Sequence, residues 1–174
     1  AMRIGVVGSR GGWSSEMLAD RVADMCGYRL LIEMDKVRLD LESGQAWFED
    51  VDIAALDGVI IKKIGARYSP NLLDRLEILR FLAERRLKVF SSPMRVMRVL
   101  DRLSCTVTLR LAGIPVPPTT VTEDVRQAKR AVEAYGEAVF KPLYTSKARG
   151  MVVVRRGEDV QRAIDAYRRD NPIM

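Results

Sequence analysis

Three short runs limit what this chain can fold into: residues 2–8 (MRIGVVG), 58–62 (GVIIK) and 87–90 (LKVF). The first two are apolar with no polar alternation, the pattern of strands buried on both faces of a parallel sheet between helices. A further strand is read over residues 28–34, and residues 37–41 and 45–48 form a hairpin around Glu42-Ser43-Gly44. Helices are expected over about 15–25 and from Ser69-Pro70 to about residue 86. There a capping residue precedes a proline suited to the first turn, a device repeated at Ser92-Pro93. Leu72, Leu73, Leu76, Leu79 and Phe81 include the apolar stripe of the second helix. Residues 1–90 therefore read as a small Rossmann-like α/β domain with a parallel sheet.

The loop Ser9-Arg10-Gly11-Gly12-Trp13-Ser14 follows the first strand. Its glycines lack the G-x-G-x-x-G spacing, so a dinucleotide fingerprint is poorly supported. It is still a loop at the carboxyl end of a strand, where open α/β sheets bind ligands. Arg10 and Trp13 are candidates for a substrate carboxylate and an apolar group, with the alternative that Trp13 only covers the sheet edge. Lys63 and Arg67 follow the strand at 58–62 and join them as substrate candidates.

Charge separates the two parts of the chain. Residues 1–90 hold fourteen Lys and Arg against fourteen Asp and Glu, whereas residues 91–174 hold fifteen against nine. The basic part suits an anionic ligand such as a nucleotide. Nucleic acid is disfavoured because no aromatic residues are interleaved for stacking. With no histidine and two unrelated cysteines, Cys26 and Cys105, a zinc site or His-based triad has no material here, and both thiols read as buried. No apolar run approaches bilayer length and no signal-peptide core is found, so the cytoplasm is expected and a membrane partner is not.

Residues 137–156 (EAVFKPLYTSKARGMVVVRR) are the most chemically suggestive stretch. An apolar run carrying Lys141 ends at Pro142, and a second apolar run from Met151 reads as its antiparallel partner. The intervening loop offers Thr145, Ser146, Lys147, Arg149 and Gly150: hydroxyls, cations and backbone N–H groups able to surround a polyphosphate. Upstream come a short helix, an Asp101-Arg102 junction, a second helix, Ala112-Gly113-Ile114-Pro115-Val116-Pro117, and a third helix after Thr122.

That order resembles the start of an ATP-grasp domain, most closely in the RimK-like (α-L-glutamate ligase and glutathione synthetase-like) family. The resemblance covers most of the chain. It implies an α/β pre-ATP-grasp domain over 1–90 and the first α+β lobe of the nucleotide-binding unit over 91–174. It also implies ATP and magnesium as cofactors, a small-molecule or peptide carboxylate as substrate, and ligation to an amine through an acyl-phosphate. By position, Lys141 is the lysine that contacts phosphate, Arg102 stands where the family has its first lysine, and residues 145–150 are the phosphate loop. Lys63-Ile64-Gly65 matches a family Arg-Ile-Gly.

Two departures qualify that reading. The family loop carries two or three glycines, and this one has Gly150 alone. The family's adenine hinge and magnesium ligands also find no counterpart before Met174. The expectation is a sequence cut from a longer protein, or else a homologue decayed into a binding or self-association module. Either way no catalytic residue is assigned within these residues, magnesium is expected to be held elsewhere, and the chain alone is expected to bind ATP weakly and not to turn it over. The loop is expected to be mobile without ligand, and the chain to form a homodimer through the edge of its first sheet.

Overall fold

The computed structural model describes residues 2–145 and 148–171, which form two compact units, Ala1–Met97 and Arg98–Met174. The first is built on the parallel sheet expected from its apolar runs. Strand β1 (Ile4–Val7) is central and pairs β2 (Leu31–Ile32) on one side. Between them lies helix α1 (Trp13–Cys26).

Three short antiparallel strands follow: β3 (Arg38–Leu39), β4 (Ala46–Phe48) and β5 (Val51–Asp52). The hairpin read from the sequence is the β3–β4 pair. The third strand has two residues and follows a turn in which Glu49 adopts φ 51°, so it carries no periodic signal.

Strand β6 (Gly58–Ile61), helix α2 (Asn71–Glu84) and β7 (Lys88–Phe90) complete the sheet in the order β2-β1-β6-β7, all parallel. Val6, Val7, Ile32 and Val59 are fully buried, as parallel strands between covering elements must be. Val6 and Leu31 meet Ala19 and Val22 of α1, and Ile60 packs against that cluster.

Gly8 ends the first strand where only glycine fits. A Cβ there would lie 2.8 Å from Ser15 Cβ and 2.9 Å from Leu31 Cδ1, so its absence is what lets α1 approach the sheet.

Helix α2 corrects two expectations. Its buried face is Leu72, Leu76, Leu79 and Leu82, the strict 3.6-residue stripe, while Leu73 is exposed and Phe81 carries the Arg85 guanidinium 5.5 Å over its ring. Ser69 makes no side-chain cap: Pro70 is the capping position, and Ser69 contributes its carbonyl to Leu72 N–H at 3.0 Å. Cys26 and Cys105 are half-buried free thiols rather than buried ones, and Cys26 Sγ donates to Val22 O.

Helix α3 (Pro93–Leu100) starts at the expected proline. The second unit contains α4 (Arg102–Leu111), α5 (Val125–Tyr135), the antiparallel pair β8 (Glu137–Phe140) and β9 (Val152–Arg155), and α6 (Val160–Asp170). Asp101, Asp124 and Asp159 cap the three helices with their carboxylates. Both α5 and α6 pack on the hairpin, burying Val132, Val154, Val160 and Ile164. Tyr167 is buried too, edge-on to Phe140 with ring centroids 5.4 Å apart. Helix α4 buries none of its residues.

Candidate functional site

Lys141 is the first residue beyond the β8–β9 ladder, which runs from Glu137↔Arg155 to Phe140↔Val152. The ladder stops there because Pro142 has no N–H to donate. Ala138 and Phe140 pack on the helices, while Val139 and Lys141 are exposed, so the lysine belongs to the solvent-facing register of the strand.

Behind it lies Arg102, the first residue of α4. Its Nη1 donates to Pro142 O at 2.6 Å and its Nη2 to Thr145 O at 2.8 Å. The structure therefore brings Arg102 to the base of the loop that follows Lys141, across about forty residues of sequence. Its guanidinium is half-buried, and Tyr167 is near enough to feel its charge. Burial pushes the Tyr167 phenol above its ordinary value, and the Arg102 charge offsets part of that.

The loop closes on itself. Thr145 Oγ1 donates to Arg149 O at 3.0 Å, Ala148 sits in the left-handed region at φ 57°, and Gly150 follows at φ 70°. A Cβ on Gly150 would come 3.2 Å from Pro142 Cγ, a tight contact that adds to the left-handed φ in favouring glycine here. Ser146 and Lys147, and the expected mobility of the loop that turns on them, lie outside the described residues.

Beside the loop runs a groove of about 840 Å³, lined by Arg102, Thr106, Val121, Tyr135, Val139 and Lys141 among others. Its lining is largely apolar and includes two cations, Arg102 and Lys141, and one carboxylate, Glu137, a set that suits a flat apolar group joined to phosphates. Among the described residues no three His, Cys, Asp or Glu side chains gather to hold a metal ion.

The substrate candidates of the first unit are not gathered in one place. Arg10 lines a separate cavity of about 430 Å³ with Glu16, Arg29, Phe48 and Glu49. Its guanidinium lies 3.1 Å from Glu49 Oε1 and 3.6 Å from Glu33 Oε2. Lys36 bonding to its carboxylate, followed by the Arg10 backbone N–H, holds Glu33 below its usual range. Arg10 is thus already matched with carboxylates. Sequence reasoning missed Glu33 and Glu49, which come from separate elements and carry no spacing signal.

Trp13 is 77% exposed at the start of α1 and does not cover the sheet edge. Lys63 and Arg67 are exposed beyond β6, and Lys63 is anchored through its backbone N–H to Val7 O at 3.0 Å. Neither lines the Arg10 cavity. The arginines at the end of the hairpin are largely matched as well. Arg155 pairs Glu137 at 2.6 Å, and Arg156 pairs Glu133 and donates to its backbone carbonyl. No helix among the described residues is long and apolar enough to cross a membrane.

The fold is similar to that of solved ATP-grasp proteins. The chain overlays the RimK domain ATP-grasp protein of Sphaerobacter thermophilus with a TM-score of 0.69 over 97% of its own length and 60% of that protein's, at 19% identity. It matches the ATP-grasp ligase PsnB, solved with a minimal precursor, Mg and ADP, with a TM-score of 0.63 at 18% identity, over 91% of this chain and 61% of that one. No family model matches the chain.

In sequence it is similar to the tetrahydromethanopterin:alpha-L-glutamate ligase of Methanosarcina acetivorans, 30% identical over 109 residues, 63% of this chain. The chain spans about a third of that enzyme's length.

Proposed function

We propose that this chain forms the phosphate-binding part of an ATP-dependent carboxylate–amine ligase of the ATP-grasp kind. The observation that carries the reading is the β8–β9 hairpin, with Lys141 at its end and its loop held by Arg102, beside an apolar groove. Bound ATP would supply the phosphoryl group that activates a small-molecule or peptide carboxylate for attack by an amine. Lys141, Arg102, Thr145, Ser146, Lys147, Arg149 and Gly150 would hold its phosphates and offset charge that shifts during transfer. Two of the guanidinium N–H groups of Arg102 serve carbonyls, and the fork has five.

Residues 1–90 would act as the pre-ATP-grasp domain, with Arg10, Trp13, Lys63 and Arg67 toward substrate, and residues 91–174 as the nucleotide lobe. Magnesium would be held by groups other than those described.

Calorimetric titration of ATP and Mg-ATP into the 174-residue chain tests the reading. Weak binding at best is expected, with no hydrolysis above background, since among the described residues no three His, Cys, Asp or Glu side chains gather as a metal site. A low-micromolar dissociation constant for Mg-ATP would mean a complete site and a different architecture.

A second reading, a non-catalytic self-association module, is supported by the edge strand β7, which pairs only β6 among the described residues. Light scattering at tens of micromolar decides it: a mass near twice 19.6 kDa is expected from a homodimer, and a monomer removes this reading.

A further inference from the structure

We propose that Arg102 is a positioning residue that straps the loop after Lys141, so that nucleotide affinity depends on the two-pronged shape of its guanidinium rather than on its charge alone. The consequence for affinity rests on the nucleotide reading above, whereas the strap itself does not.

The geometry is specific to a fork. Two different nitrogens, Nη1 and Nη2, each donate to a different backbone carbonyl, Pro142 O and Thr145 O. A lysine ammonium is a point charge on a flexible stem and cannot reproduce two donors at fixed separation. Arg102 is itself fixed, because Asp101 caps α4 through the N–H groups of Leu103 and Ser104 at 2.9 and 3.2 Å, setting the first helical residue in place.

The strapped carbonyls bracket the base of the loop. Pro142 is buried and directly follows Lys141, so holding its carbonyl also limits where Lys141 lies. Thr145 is held twice, its carbonyl by Arg102 and its hydroxyl by Arg149 O, which ties the near side of the loop to the far side. Partly buried hydrogen bonds from a charged donor are among the stronger ones in a protein. A preorganised loop binds a ligand without first having to be ordered.

The test compares the wild-type 174-residue chain with Arg102→Lys, Arg102→Met and Lys141→Met. Trypsin cleavage after Arg149 is timed by mass spectrometry without nucleotide, and ADP affinity is measured by calorimetry. Both Arg102 variants are expected to be cut in the loop about tenfold faster, the factor that about 1.4 kcal/mol represents, with Arg102→Lys losing ADP affinity by about that factor and Arg102→Met by at least as much. Lys141→Met is expected to lose ADP affinity with loop cleavage unchanged.

Wild-type behaviour of Arg102→Lys in both assays would overturn the proposal, since charge alone would then suffice. Faster cleavage spread equally over Arg130 in α5 and Arg162 in α6 would also overturn it, because the effect would be general loosening. If no variant and no wild-type chain binds ADP, the nucleotide reading fails, and the cleavage rates still decide the strap.

Discussion

Replacing Lys141 by methionine is expected to weaken ATP and ADP binding by at least about tenfold, and by more at low salt. A hydrogen bond to a charged group contributes on the order of 1.5–3 kcal/mol, and the ammonium of Lys141 is exposed at the end of β8, outside the ladder. Methionine keeps most of the length of the side chain and removes the ammonium with its charge and its three donors. The fold has no stake in that charge, since the core of this unit is Val132, Val154, Val160 and Ile164. Titrations of wild type and variant at two ionic strengths check this. Equal affinities, or a loss of affinity accompanied by a lower melting temperature, would refute the role given to Lys141.

A larger effect on stability is expected from Ile164→Ala. Ile164 is fully buried between α6 and the hairpin, and truncating such a residue costs about 2–5 kcal/mol. A unit of this size has little stability to spare. The readout is unusually clean, because both tryptophans, Trp13 and Trp47, belong to the first unit. Tryptophan emission should keep its denaturant midpoint while helical circular dichroism is lost earlier. A shift of less than about 1 kcal/mol would mean that α6 does not rest on the hairpin as described.

How far the sequence led depended on the kind of signal. Runs such as residues 2–8 and 58–62 placed β1 and β6 because a doubly covered strand is apolar at every position. The Pro93 start of α3 and the Pro142 end of β8 followed from a missing N–H. In α2 the run Leu72, Leu73, Leu76, Leu79 and Phe81 contains three of the four buried residues, and the fourth, Leu82, lies in the last turn. The 3.6-residue period picks out all four only when carried through to that turn.

The strand β5 could not be read, since two residues give no period. The ring of charges about Arg10 was equally hidden. Glu33 meets it from the end of β2, which pairs β1, and Glu49 from the turn after β4, and nothing in their spacing announces this. The same holds for the nucleotide lobe: Lys141 was visible as a strand-end cation, but the use of Arg102 on two carbonyls about forty residues away is a product of the fold.

The place of Arg102 in its own helix has a further consequence. A cation at the first position of α4 faces the positive end of the helix macrodipole, where a charge of its sign is disfavoured by about 0.3–1 kcal/mol. The carboxylate of Asp101, one residue earlier, offsets part of this by capping the exposed N–H groups. What remains pushes the guanidinium away from the helix end and toward the nearest partial negative charges, the carbonyl oxygens of Pro142 and Thr145. The helix and the loop thus act on one side chain in the same sense, one repelling it and the other attracting it: α4 would be steadier without the arginine, and the loop is steadier because the helix repels it.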